Sequence, residues 1–148
     1  MNRCARLFCY LVLCIGLAVG PEMGTPALDE PSEADWESIR AVIASQLDAF
    51  KRDDADAAFS FASPGIQKQF RTPSEFMQMV RTGYGAVYRP GAVRFLGPIV
   101  RSEHPIQPLE IVTPDDLVVI AFYIMERQPD GSWKIAGCAL GASSARSA

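Results

Sequence analysis

The hydrophobic pattern of this chain changes period once, and that change limits what it can fold into. Trp36, Ile39, Ile43, Leu47 and Phe50 recur at helical spacing, whereas beyond Tyr88 β-branched and aromatic residues alternate with polar ones or run together in short stretches. Helices first and antiparallel strands afterwards predict an α+β domain, in which N-terminal helices pack on a curved antiparallel sheet of about four strands.

Start and stop signals divide the helical half. Ser32 and Asp35 have the spacing of a capping box, so a long amphipathic helix is expected over 33–52. Asp53 and Asp54 can cap a shorter helix carrying Ala55, Ala58, Phe59 and Ala62, and Ser63 with Pro64 restarts the chain as another short turn anchored by Ile66 and Phe70. The clearest start is Thr72-Pro73-Ser74-Glu75, with Glu75 placed to return a hydrogen bond to the Thr72 amide. Phe76, Met77, Val80 and Tyr84 continue that helix, and Gly83 and Gly85 are expected to stop it.

Strands are expected at about 92–101, 106–113, 117–127 and 132–140. Pro108 suits an edge strand or a bulge, and the run 117–125, apolar on both faces, suits the centre of the sheet. Gln128-Pro129-Asp130-Gly131 fits a type I turn with Gly131 in the left-handed bulge position. That register sets Gln128 opposite Ser132, Glu126 opposite Lys134, Arg127 opposite Trp133 and Met125 opposite Ile135. A strict two-residue turn at Asp130 and Gly131 would instead pair Glu126 with Ile135, a poorer match. In the bulged register Phe122, Ile124, Ala136 and Cys138 share the face that helices do not cover, an apolar patch suited to a homodimer.

The N-terminus reads as basic residues, the apolar run 7–20, then a Pro- and acid-rich stretch, which is the pattern of a secretory signal. The run falls short of the ~20 residues of a comfortable membrane span. Two readings stay open: cleavage and release to the periplasm or medium, or an inner-membrane anchor formed by residues 7–20. The expected organisation is leader or anchor 1–20, linker 21–31, domain 32–140 and disordered tail 141–148. Three of the four cysteines lie in the leader, so Cys138 has no intramolecular disulfide partner in the domain and its apolar neighbours favour burial. Without Arg3 and Arg6 the remaining chain holds 12 Lys+Arg against 17 Asp+Glu, an acidic balance with scattered basic residues that disfavours nucleic-acid binding. Membrane contact is expected only through an uncleaved leader.

The segments IRAVIASQLDAFKRDDADAAFSFASPGIQKQF at 39–70, FMQMVRTGYGAVYRP at 76–90 and the hairpin ERQPDGSWKIAGC at 126–138 resemble an uncharacterised bacterial family catalogued as domain of unknown function 4864. The order of elements also resembles the nuclear-transport-factor-2-like superfamily, which shares the cystatin-like cone. The match covers roughly residues 36–140. It implies a fold and a bacterial origin, and it transfers no catalytic residue, because the family has no assigned activity.

A metal centre needs converging His, Cys or carboxylate ligands, and the domain has one His and one Cys, so neither a metal nor another cofactor is expected. His104, between two predicted strands, reads as a solvated loop histidine rather than a general base. Enzymes of the cone-shaped superfamily place an acid, His or Tyr inside the cone. Here Asp48 and Asp56 can point outward, Glu126 has Lys134 as a surface partner, and Asp53, Asp54, Asp115 and Asp116 suit caps and turns. No catalytic residue is assigned. The more suggestive group is Tyr84, Tyr88, Arg89, Tyr123 and Trp133, which together could line the open end of the cone as a pocket for a small acid, the aromatics giving apolar area and Arg89 a carboxylate clamp. The leading reading is therefore a non-catalytic exported domain that binds a small-molecule ligand or a protein partner. The alternative is a small isomerase- or dehydratase-like enzyme acting in the cone pocket, which requires a buried acid or histidine beside Tyr88.

Overall fold

The structure is a computed structural model that describes residues 30–102 and 104–142. The expected leader, linker residues 21–29 and tail residues 143–148 lie outside the described residues. In the capping box, the Ser32 amide donates to Asp35 Oδ2 at 3.0 Å and the Asp35 amide to Ser32 Oγ at 3.2 Å. Helix α1 (Glu33–Lys51) follows and buries Trp36, Ile39, Ile43, Leu47 and Phe50, the stripe its spacing predicts, with Gln46 and Ala49 added. Asp54 alone caps α2 (Ala55–Ser60), and Ser63 caps α3 (Pro64–Gln69), which buries none of its own residues. Thr72 caps α4 (Pro73–Gly83), but Glu75 Oε2 accepts from the amide of Arg71 at 3.1 Å rather than from Thr72, so the carboxylate reaches one residue further back than expected. Gly85 does not end the helical region; it opens α5 (Gly85–Tyr88), a single turn.

The sheet has five antiparallel strands: β1 (Ala92–Phe95), β2 (Ile99–Arg101), β3 (His104–Val112), β4 (Val118–Arg127) and β5 (Trp133–Ala142). The strand expected over 92–101 is divided at 96–98, where Pro98 has no amide hydrogen to offer a ladder. Both pieces pair with β3, in the order β1-β3-β4-β5 with β2 also on β3. Pro108 is thus on an interior strand, not an edge. It is tolerated because it faces the gap between β1 and β2, where its carbonyl accepts the Leu96 amide at 2.9 Å. His104 begins β3 and is exposed there, rather than sitting in a loop. The last strand runs to Ala142, two residues into the stretch expected to be a tail.

The final hairpin has the bulged turn. Gln128 N–H donates to Ser132 O at 2.7 Å, Gly131 N–H donates to Gln128 O at 2.8 Å, and Gly131 has φ +85°, which an L side chain rarely adopts. Glu126, Arg127 and Met125 pair with Lys134, Trp133 and Ile135 as the register requires. One step beyond, the ladder shifts: Ile124 pairs with Gly137, leaving Ala136 as an extra residue. A bulge of this kind turns every later side chain to the opposite face. Cys138 therefore pairs with Tyr123 on the helix side, and Ala136 and Cys138 both leave the apolar outer patch expected of them. The uncovered face is formed instead by Ile106, Pro108, Ile120, Phe122 and Ile124, with Phe122 and Ile124 lying against Gly141 and Gly137.

The inner face supplies Leu109, Ile111, Tyr123, Met125, Trp133 and Ile135 to one core with α1 and α4. The outer edge of β5 is occupied near the bulge: Ile135 N–H donates to Phe61 O at 2.9 Å and Ser63 N–H donates to Ile135 O at 2.8 Å. That pairing covers a sheet edge and sets α3 over the bulged part of β5. At the other end of the helical layer the chain enters β1 through Gly91. A Cβ there would stand 2.9 Å from the Val112 carbonyl oxygen, so only glycine fits the approach. Among the described residues no helix is long and apolar enough to cross a membrane.

Candidate functional site

Helices and sheet leave a cavity of about 390 Å³ between α1, α3, α4, α5 and the β4–β5 ladder. Its walls are mostly apolar, with Phe50, Phe76, Val80, Val87 and Ile135 among them. Five polar residues reach the lining: Gln46, Gln69, Tyr84, Tyr123 and Cys138. Among the described residues no charged side chain lines it.

The sequence places each polar group there for a local reason. Gln46 sits on the buried stripe of α1, and its amide nitrogen is held by Ala58 O at 3.1 Å. Tyr84 caps α4 and donates to Cys138 O at 3.2 Å, tying the helical layer to β5 beyond the bulge. Gln69, at the exposed end of α3, marks where the cavity meets solvent. Tyr123 and Cys138 stand side by side because the bulge brings them into register.

Tyr123 is the most constrained of the five. Its side chain is fully buried, and its hydroxyl has no hydrogen-bond partner among the described residues. Burial pushes its pKa well above the usual phenol value, with the neighbouring Cys138 thiol acting in the same direction, so it stays a protonated donor. Burial also pushes the Cys138 thiol up to about 12, which leaves it neutral and a poor nucleophile. Gln107, directly opposite Tyr123 on β3, gives its amide nitrogen to Leu96 O and Pro108 O, and its Oε1 is likewise buried without a partner.

The five residues expected to form one pocket lie in three places. Tyr84 and Tyr123 line the cavity. Tyr88 and Arg89 do not: they converge on Asp53, whose left-handed backbone (φ +56°) ends α1. Tyr88 donates its hydroxyl to Asp53 Oδ1, Arg89 Nη2 donates to Oδ2 at 2.7 Å, and Arg81 donates to Oδ1 at 3.0 Å and to the Tyr88 hydroxyl at 3.1 Å. Arg89 also donates to Phe50 O and lies 3.9 Å above the Tyr88 ring. The Tyr88 hydrogen bond, followed by those of the two arginines, holds the Asp53 carboxyl below its ordinary pKa. Arg89 is thus engaged by Asp53 and the Phe50 carbonyl and is not on the cavity lining, so the structure does not bring it together with Tyr84 and Tyr123. Trp133 belongs to a third group at the start of α1, where its indole N–H donates to Asp35 Oδ1 at 3.1 Å and Arg127 stacks 5.7 Å from the ring. The Ser32 hydrogen bonds, with Trp133 and Arg127 behind them, lower the pKa of Asp35.

Gln46, Gln69 and Cys138 were not expected at the site. A polar residue on an otherwise apolar stripe was the available signal for Gln46; Cys138 had none, since its orientation depends on the bulge. Asp48, Asp56 and Glu126 are exposed, as an outward orientation predicts. Lys134 stands opposite Glu126 but donates to Ser60 O at 2.6 Å. Among the described residues no three His, Cys, Asp or Glu side chains gather where a metal ion would sit.

Residues 32–148 match the family model described as "Domain of unknown function (DUF4864)". The match covers most of the chain, which therefore belongs to that family. No curated protein matches the chain at a significant level.

Proposed function

We propose that this member of the family is a non-catalytic binding domain that holds an uncharged, largely apolar small molecule in the cavity between its helices and its sheet. One observation carries the reading: among the described residues a cavity of about 390 Å³ is lined without a single charge. That volume lies within the range of small-molecule sites, which are mainly apolar with a few fixed polar groups. General acid–base work is done most readily by a His, Asp or Glu inside the cavity, and among the described residues none lines it, while burial holds Tyr123 and Cys138 there protonated. This weighs against the isomerase- or dehydratase-like alternative. The order of elements, with helices over one face of an antiparallel sheet, supports placement in the nuclear-transport-factor-2-like superfamily. The apolar segment at 7–20 supports export, with the domain acting in the periplasm or at the membrane that the segment anchors it to.

The test uses two fluorescent probes with one skeleton, neutral phenylnaphthylamine and its sulfonated counterpart anilinonaphthalene sulfonate. The cavity predicts saturable binding of the neutral probe and little of the sulfonate, because an uncharged lining cannot compensate a buried anion. Equal binding of both, or of neither, contradicts the reading.

A second reading concerns the uncovered sheet face. Ile99 is 44% exposed and Val118 37%, and Ile106, Ile120, Phe122 and Ile124 continue the apolar surface between them. On this proposal two copies associate through that face, with Arg94 and Glu110, joined at 2.9 Å, as a neutral pair within it. Light scattering coupled to size-exclusion chromatography should give twice the chain mass, and a monomer at high micromolar concentration would remove the dimer from the account.

A further inference from the structure

Resting on the cavity reading above, we infer that the ligand carries a hydroxyl or N–H group, and that Gln46 Oε1 is the acceptor that recognises it. Gln46 is the polar break in the buried stripe of α1: it is only 3% exposed, and it lines the cavity together with Phe50, one turn further along the same face. Its amide nitrogen donates to Ala58 O at 3.1 Å. A carbonyl oxygen can only accept, so this contact fixes which end of the amide is nitrogen and leaves the oxygen as the end without a partner. Among the described residues no group donates to Gln46 Oε1, and the unpaired side-chain atoms sealed within the fold are the Tyr123 hydroxyl and Gln107 Oε1; the Gln46 oxygen is not one of them. A tie between α1 and α2 accounts for the nitrogen. It does not account for an amide oxygen brought to an apolar cavity without a donor, a cost that a ligand's own donor offsets.

The other polar groups on the lining point the ligand's chemistry the same way. Tyr84 has spent its one hydroxyl proton on Cys138 O, so its oxygen too is left as an acceptor. The Tyr123 hydroxyl is sealed and does not reach the cavity. Cys138 brings a neutral thiol, which is a weak donor. Inside the rim that Gln69 marks, the described lining therefore presents mainly acceptors. An anion would meet no cation there, and a ketone or ether oxygen would meet no strong donor apart from the second hydrogen of the Gln46 amide. An alcohol, a phenol or an N–H heterocycle is matched.

The measurement is a titration of three fluorinated probes against the full-length chain and against Gln46→Met, read by ligand-observed fluorine NMR. Para-fluorophenol donates a hydrogen bond, para-fluorotoluene has nearly the same shape and cannot, and para-fluoroanisole can only accept. Gln46→Met should weaken phenol binding about tenfold, as expected for a lost buried hydrogen bond, and leave the toluene and the anisole within about twofold, which also shows that the variant keeps its fold and its cavity. If all three probes weaken together, Gln46 serves only the packing of α1 and the inference fails; if none weakens, the amide is no anchor and it fails too, in both cases with the cavity reading intact. A loss that falls on the anisole would make the amide a donor and overturn the inference in the same way. If no probe binds wild type, the cavity reading fails and the inference with it. Should Gln46→Met not fold, wild type decides: the carbon-13 resonance of the Gln46 side-chain carbonyl should move downfield with the phenol and stay in place with the toluene, and an equal response to both overturns the inference.

Discussion

The cavity and the Asp53 cluster take residues from the same short stretch of chain, yet their chemistry is opposite. Tyr84 and Val87 line an uncharged cavity, whereas Tyr88 and Arg89, the next residues along, close on a carboxylate at the surface. At the surface one Asp53 accepts from two arginines and a tyrosine, and so ties the end of α1 to α4 and α5. The cavity wall is mostly apolar, and among the described residues it carries no charge to be paired. Residues rich in chemistry are thus no guide to function by themselves. What matters is whether their hydrogen-bonding capacity is already spent within the fold.

This contrast can be broken most forcefully at Ile135, which is 3% exposed and belongs both to the core and to the cavity wall. Ile135→Ala should cost about 3 kcal/mol in chemical denaturation, the lost burial of a large aliphatic side chain next to a space that cannot collapse fully. It should also enlarge the cavity and admit bulkier neutral probes. A cost below ~1 kcal/mol would mean that the wall relaxes and that the cavity is not a fixed feature.

A smaller effect is expected on the alkaline side. The folded-state pKa of Cys138 is raised from 9.0 to about 12. Its contribution to stability is therefore complete below pH 9 and is lost as the pH climbs from 9 towards 12, because unfolding releases the thiol proton in that window. Cys138→Ala should flatten that part of the stability profile relative to wild type, and alkylation of the native thiol at pH 8 should be slow. Identical profiles for the two proteins would place Cys138 in contact with water rather than against Tyr123.

The smallest effect belongs to the surface cluster. Asp53→Asn keeps the shape and removes the charge, and because the site is solvent-exposed the melting temperature should fall by only about 1–2 °C at low salt. Asp53 has a lowered folded-state pKa, so its contribution is present above pH 3.8 and disappears as the pH falls below it. Variant and wild type should then converge in acid and in high salt. A large, salt-independent loss would show that the cluster organises the fold more than its exposure suggests.

Much of the helical half was legible because its signals are local. Ser32 with Asp35, Asp54, Ser63 and Thr72 each cap the helix their position announces, and the α1 stripe is buried as spaced. The hairpin register was legible for the same reason, since four residues around Gly131 determine it. Two features were not. The division of the first strand needed the knowledge that both pieces pair with β3 around Pro108, and the bulge at Ala136 lies beside a pairing of β5 with the segment Phe61–Ser63, some seventy positions away in sequence. That single bulge moved Cys138 from the outer face to the cavity. The site grouping failed at α5 because a one-turn helix points successive residues in different directions, so adjacency in sequence placed Tyr88 and Arg89 with Tyr84 when the fold separates them.

The most direct test of the account compares neutral-probe binding by Met79→Trp and Arg89→Gln. Met79 is a half-buried residue of α4 on the cavity lining, and a tryptophan there should fill the space, whereas Arg89 serves the Asp53 cluster and faces no part of the cavity. The account predicts that phenylnaphthylamine binding is lost in Met79→Trp and kept within about twofold in Arg89→Gln, because the second change removes contacts to Asp53 and to the Phe50 carbonyl and leaves every lining side chain in place. Binding that survives the tryptophan but fails without the arginine would put the function in the charged cluster and contradict the account.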